Sequence, residues 1–393
     1  MSWVTAPLGA ITTILSGTTP DSANPVYWNG DLVWVTPTDL GKLGATVINT
    51  SARLISEAGR ASCNPPSVPE GSVVMSSRAP IGHLAIAGCA LHTNQGCKSF
   101  VCSAELDGEF LYFTLKHRMA DIQALGSGAT FVEVSKSALE AFEISYPDSI
   151  DEQRQIAARL KAQLAEVETA RQAAQTQLSD VRLLRARMLK TFFAELNAAP
   201  KKMLGDHAPT TSGTTPSRGN KQYWQPAEIP WVKTGEVAFA PITTTEEAIS
   251  SKALAECSLT LLPPKTILIA MYGQGKTRGQ SAILEIPATT NQACFAILPN
   301  GTWDPDFLYL WLQASYQDLR DLSEDRGGNQ ANLNGALLKA LEVPAPDKTE
   351  QQQLVARIQA AMAEIDAIES ASQAALDDID RLPSRVLAQA FEE

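Results

Sequence analysis

The sequence predicts an α+β protein made by tandem duplication. A globular domain followed by a long helix occurs twice, and the two helices pair as an antiparallel coiled coil with pseudo-twofold symmetry. Three observations carry this expectation. Residues 151–197 contain no Gly or Pro and hold a heptad seam. Six sequence words recur in one order, at offsets of 196 to 198. A second heptad stretch follows the second copy of those words, beginning at residue 348.

At 393 residues the chain is long enough for two or three domains with proper cores. It holds no apolar run of membrane-spanning length and no signal pattern at its start, so a cytoplasmic location and no membrane partner are expected. The six cysteines include no C-x-x-C pair. His92, Cys97 and Cys102 lack a fourth ligand at metal spacing, so no metal site is expected and the cysteines read as thiols of a reducing compartment. The balance is acidic, 32 basic against 43 acidic residues, and no segment is strongly basic. That weighs against a nucleic-acid binder, because phosphate contacts need cations.

The first globular domain is expected over residues 1–150. It holds the word SGTTP (16–20), a Tyr27-Trp28 pair, Trp34-Val35, a buried-strand pattern entered through Pro69, and Thr93-Asn94-Gln95. An amphipathic helix pattern, LYFTLKHRM (111–119), and a Gly-rich loop from Gly126 to Gly128 complete it. The Trp residues and Tyr-Trp pairs read as core, and the Thr-Asn-Gln words as turns closed by Asn. The first helix, residues 151–199, starts at a Ser149/Glu152 capping box. Its seam runs through Leu160, Leu164, Val167, Ala174, Leu178, Val181, Met188 and Phe192. At ~1.5 Å per residue it is a rod of roughly 70 Å.

Residues 200–347 repeat the words as SGTTP (212–216), Tyr223-Trp224, Trp231-Val232, LPPKTILIAM (262–271), Thr290-Asn291-Gln292 and LYLWLQASY (308–316). The second helix, 348–393, carries its seam at Ile358, Met362, Ile365, Leu376 and Ile379, and Pro383 is expected to break or kink it. Two copies of one unit pair about a twofold axis, which makes the helices antiparallel and puts the globular domains at opposite ends of the rod. Arg171 and Glu369 occupy equivalent positions with opposite charge, so they are expected to meet near the axis and fix the register.

With these words in order and duplicated, the chain resembles the specificity subunit of type I restriction–modification enzymes over nearly its full length. The matching residues are GSVVMSSRAPIGHLAIAG (71–88), ILIAMYGQGKTRGQSAIL (267–284), the Thr-Asn-Gln words, RGGNQANLNGALLKALEVPAP (326–346), and the helix entries IDEQRQI and KTEQQQL. The first copy departs from the pattern where Gly126-Ser127-Gly128-Ala129-Thr130 replaces Arg326-Gly327-Gly328-Asn329-Gln330. The resemblance implies a DNA reader without an active site. Each globular domain is a target-recognition domain for one half of a bipartite, asymmetric site in double-stranded DNA, and the helices are the spacer. It also implies two methyltransferase subunits docked on the helices and a motor–nuclease subunit joining them. S-adenosylmethionine, ATP and Mg are then expected on those partners, and no cofactor on this chain. A coiled-coil scaffold that binds only protein is the alternative, favoured by the acidic balance.

Base edges call for Arg, Asn, Gln, Ser or Thr at the tips of polar loops. In the second domain that description fits Tyr272, Gln274, Lys276, Thr277 and Arg278, with Arg326, Asn329 and Gln330 in the Gly-rich loop. In the first domain the equivalent loop offers Ser76, Ser77, Arg78 and His83. Thr18, Thr19, Thr214 and Thr215 of the SGTTP words are further candidates for phosphate or base contact. Enzyme motifs fail on inspection. AMYGQGKT (270–277) has Ala270 where a phosphate-binding loop needs its first Gly, and Asn64-Pro65-Pro66-Ser67 has Ser where an adenine methyltransferase needs an aromatic. The four histidines form no triad pattern.

Overall fold

The computed structural model describes residues 2–127, 132–273, 275–324 and 332–392. The chain divides into two compact units, one of residues 1–174 with 375–393 and one of residues 175–374, so each long helix contributes half its length to each unit.

In the first unit a five-stranded sheet runs in the order Thr12–Ser16, Cys97–Cys102, Val73–Ser76, Leu84–Ala87, Val47–Ile48. Its central strand reads VVMS and is buried at every position, the pattern of a strand covered on both faces. Alternation then decides what each face meets. Val73 and Met75 join Phe110, Leu111 and Leu160 in one core. Val74 points the other way, into a smaller core with Val35, Leu40 and Leu91. A three-stranded sheet of Leu54–Ile55, Trp28–Val35 and His92–Thr93 flanks the second core.

The second unit repeats the plan. Its five strands are Thr210–Ser212, Cys294–Ile297, Ile267–Ala270, Ser281–Leu284 and Pro241–Ile242, in the same order, and its small sheet is Glu247–Ile249, Ile229–Val232, Thr289–Thr290. Ile267 and Ile269 face Phe307 and Leu308, while Leu268 and Ala270 face the other core. The duplication read from sequence words is therefore a duplication of topology. Trp34 and Trp231 are core residues, each edge-on to the Trp of its Tyr-Trp pair.

The long helices are Ile150–Ala194 and Lys348–Glu392, 45 residues each. Ser149 caps the first through the Glu152 N–H at 3.5 Å. At the second, Asp347 and Glu350 cap each other's N–H groups at 2.9 and 3.3 Å. Gln153 and Gln351, one residue past each capping Glu, are fully buried. In the second unit the helix halves run antiparallel: Arg182 meets Glu369 at 2.8 Å, Arg185 meets Asp366 one turn on, and Arg357 meets Glu195 at 2.9 Å. Leu160, Leu178 and Val181 of the predicted seam are buried. Further on, burial passes to Leu189 and Phe193, one position beyond Met188 and Phe192, as the 3.6-residue helix drifts from a 3.5-residue repeat.

Of the break or kink expected at Pro383, the break does not occur, and the register pair differs from expectation. The second helix is not broken at Pro383 but continues nine residues beyond it. Losing one hydrogen bond and fitting the ring costs about 3 kcal/mol. Leu387 and Ala390 are buried in the first unit's core and Phe391 packs edge-on to Phe110, burial worth about 1.5–3 kcal/mol for each large side chain. The register pair is also revised. Glu369 takes Arg182 as its partner, and Arg171 binds Glu168 on its own helix at 2.8 Å. Equivalence by duplication locates like positions, but the stagger between helices sets which residues stand level, and here it is eleven residues different.

Candidate nucleic-acid interface

In each unit three separate stretches of sequence converge beside the central hairpin. In the first, the Thr18 N–H donates to Thr93 O at 3.0 Å, the Ser77 N–H to Gly96 O at 2.8 Å, and the Val134 N–H to Ser77 O at 3.0 Å. The second unit makes the same three bonds. Thr214 donates to Thr290 O at 3.0 Å, Met271 to Ala293 O at 2.9 Å, and Leu333 to Met271 O at 3.1 Å. The SGTTP word, the Thr-Asn-Gln turn, the hairpin and the segment after the Gly-rich loop thus form one rim. Its closeness explains the glycine in SGTTP. A Cβ on Gly17 would lie 2.1 Å from Thr93 O, and one on Gly213 1.8 Å from Thr290 O.

Main-chain equivalence pairs Ser77 with Met271 and hence Arg78 with Tyr272. Arg78 is half-buried and bonds Glu133 at 3.4 Å, a carboxylate shared with the buried Lys98 at 3.3 Å. Tyr272 stands 42% exposed. The hairpin tip beyond Tyr272 turns through Gly273 and Gly275, both at positive φ, where only Gly is unstrained. The helix Tyr316–Glu324 holds this tip from one side. The Tyr316 hydroxyl donates to Lys276 O at 2.6 Å and Arg320 to Gly275 O at 2.7 Å. In the first unit Gln123 does the same job, donating to Ile81 O at 3.0 Å. Lys276 is exposed, Thr277 half-buried and Arg278 buried.

Other candidates are placed differently. Ser76 and Ser77 are fully buried. The Ser76 hydroxyl donates to Pro80 O at 2.7 Å and accepts the His83 N–H at 2.9 Å, while Ser77 donates to Gly96 O at 3.2 Å. They brace the hairpin, and its outward face is left to Arg78 and the Pro80 turn. His83 lies over Gly41 and lines a cleft with Tyr112, Lys116 and Lys161, not the rim. The Thr18 hydroxyl is taken up by Cys63 O at 3.0 Å. Thr19 is exposed and donates to Gln95, and Thr215 donates likewise to Gln292 at 2.6 Å. Thr214 is partly exposed beside it. Gln274, Arg326, Asn329 and Gln330 lie outside the described residues.

Gln95 and Gln292 are rim residues that the sequence reading left out. The preceding Asn closes the turn in both copies, accepting the N–H two residues on at 3.0 and 3.1 Å, so the word is structural as expected. Its next side chain nonetheless points outward in both units. The signal was available, since an Asn whose side chain turns back to cap its own loop leaves the next side chain facing out. Behind the turns, burial pushes the Cys97 and Cys294 thiols up to about 12. The Asn64-Pro65-Pro66 word is also explained: Asn64 ends the helix Glu57–Cys63 in a left-handed conformation.

Comparison with known proteins bears on the family and the fold. The sequence matches the family described as type I restriction modification DNA specificity domain over residues 2–176 and again over 200–377. It is 28% identical to the type I restriction enzyme MjaIX specificity subunit of Methanocaldococcus jannaschii over 69% of this chain and 66% of that one. It is 26% identical to the EcoR124I/EcoR124II specificity subunit of Escherichia coli over 39% of this chain and 38% of the relative. These matches span less than two thirds of each relative's length. Its fold resembles that of a chain from a type I R-M system structure concerned with complex assembly and conformational transition, with a TM-score of 0.77 and 17% identity over 99% of this chain and 97% of that one. The HsdS subunit from Thermoanaerobacter tengcongensis superposes at 0.64, also at 17% identity, over 99% and 96%.

Proposed function

The chain belongs to the type I restriction–modification DNA specificity family, and we propose on that premise that it is the non-catalytic, sequence-reading subunit of a type I complex. Each unit's rim reads one half of a bipartite, asymmetric site in duplex DNA. The observation that carries this is the contrast between framework and tip. Both rims rest on the same three main-chain bonds, yet the side chain at the start of the hairpin tip is Arg78 in one and Tyr272 in the other. A constant frame with altered tips is what two readers of different half-sites need, since base edges are told apart by side-chain donors and acceptors.

The long helices space the rims and dock two methyltransferase subunits, with a motor–nuclease subunit joining the assembly. Leu183, Leu184 and Ile368 leave large apolar side chains about half exposed on these helices, which suits a partner surface. S-adenosylmethionine, ATP and Mg act on those partners, which work with this chain in the cytoplasm. Among the described residues no helix is long and apolar enough to cross a membrane.

Binding of the chain, purified with its methyltransferase subunits, to duplex DNA tests the reading. Affinity should fall steeply as salt rises, because phosphate contacts release counterions. A complex whose methyltransferase subunits are bound but which ignores DNA at low salt would make the chain a protein scaffold.

A further inference from the structure

The acidic chain leaves open where its phosphate-binding cations lie. In the first unit Arg53 lays its guanidinium over the Trp28 ring, 3.4 Å from the centroid. In the second, Arg218 covers the equivalent Trp224 at 3.9 Å. These two arginines are not equivalent residues. Ser56 and Ser250 donate alike to Tyr27 O and Tyr223 O, so three residues earlier Arg53 corresponds to Glu247. Counting from Pro20 and Pro216, Arg218 corresponds to Ser22. One unit supplies the cation from the strand side, and the other supplies it from the SGTTP loop and holds it with Glu247. The sequence has changed at both positions, and the guanidinium has stayed on the indole.

We propose that Arg53 and Arg218 are the backbone contacts of the two recognition rims, each gripping a DNA phosphate regardless of sequence; this rests on the DNA-reading function above. Their place suits it. Trp28 stands edge-on to Trp34, whose Nε1 donates to Thr18 O at 3.0 Å, and Trp224 stands edge-on to Trp231, whose Nε1 donates to Thr214 O at 3.1 Å. Each guanidinium is therefore carried one ring pair away from the Thr–Gln edge of its rim. Stacking fixes the guanidinium plane at small entropic cost and leaves in-plane N–H groups of Arg53 for a bidentate oxygen pair, whereas Arg218 gives Nη1 and Nη2 to the two oxygens of Glu247 and keeps its remaining N–H groups for a single phosphate oxygen. Both side chains reach solvent, Arg53 being exposed and Arg218 54% exposed. A contact retained in both units while the tips differ is suited to position the duplex rather than read it. Glu247 offsets part of the Arg218 charge, so Arg53 carries the larger share.

The test is the salt dependence of duplex binding by the chain with its methyltransferase subunits, for wild type, Arg53→Ala, Arg53→Met and Arg218→Ala. Arg53→Met keeps an apolar stem on the indole without the charge, so it separates packing from electrostatics. Both Arg53 variants should lower affinity roughly tenfold at low salt and flatten the log–log salt slope by about one, leaving the methylated motif unchanged. Arg218→Ala should flatten it less. A wild-type slope in the Arg53→Met variant, or a relaxed half-site, would overturn the assignment. Absence of salt-dependent binding by the wild type would instead remove the DNA-reading function, and this inference with it.

Discussion

Gln351→Ala should cut the second unit's stability by about 2–4 kcal/mol without touching a surface residue. The side chain is fully buried where the second long helix begins. Its Oε1 accepts the Asp304 N–H at 2.7 Å, and its Nε2 donates to Thr302 O at 3.0 Å and Pro346 O at 2.8 Å. Asp304 in turn caps the helix Pro305–Ala314, which packs on the sheet. One amide therefore ties the rod's first turn to the helix that covers the core. Alanine orphans one N–H and two carbonyls, each costing about 1–3 kcal/mol if it stays dry. Freed glutamine rotamers return up to ~2 kcal/mol, and water entering the space satisfies some groups. Because the chain has two units, the measurement is amide hydrogen exchange across residues 305–314, which isolates local opening. Gln351→Glu is the companion variant. A carboxylate can accept from Asp304 but faces two carbonyls with negative charge, so its deficit should shrink as acid protonates it. A loss below ~1 kcal/mol in the alanine variant would show that the joint is not what holds the rod to the domain.

Other outcomes follow from the same geometry. Gln153→Ala should cost the first unit a similar amount, since Gln153 makes the matching bonds to the Asp107 N–H, Glu105 O and Pro147 O at 2.8 to 2.9 Å, and exchange over residues 108–117 reports it. Tyr272→Ala with Lys276→Ala should weaken DNA binding and alter one half-site only, with circular dichroism unchanged; alteration of both halves would contradict one reader per unit. Gly213→Ala should unfold or displace the second rim, because its Cβ would meet Thr290 O at 1.8 Å, and a binding-competent variant would argue against that close packing. Cys97 and Cys294 should resist alkylation at pH 8 in the folded protein. Their thiols are held up at about 12 by burial, so the stability they contribute is intact below the unfolded thiol pKa of ~8.5 and is lost as pH rises from there toward 12.

What could be read beforehand was whatever a local pattern encodes. The continuous apolar runs VVMS and ILIA, the Ser149/Glu152 capping box and the repeated words encoded the sheets, the first helix entry and the duplication, while the Asp347 cap of the second helix was not singled out. Pro383 does not end the helix because its penalty is local while the compensation comes from Leu387, Ala390 and Phe391 in the core of the first unit. The register failed for a related reason. A heptad seam satisfies several staggers equally, and the choice among them is made by cross-helix pairs such as Arg182–Glu369. At the rim, polarity alone could not separate Ser76 and Ser77, buried as braces, from the exposed Thr19 and Gln95. The stacking of Arg53 and Arg218 was hidden because equivalent tryptophans are covered from non-equivalent positions.

On the function proposed above, this chain chooses the DNA sequence for a methyltransferase complex. Sequencing of methylated bases in a strain with active partner subunits, with and without this gene, tests it most directly. A bipartite motif methylated at adenine should disappear on deletion and return with the gene. A methylome unchanged by deletion, with the partner subunits present and active, would contradict it.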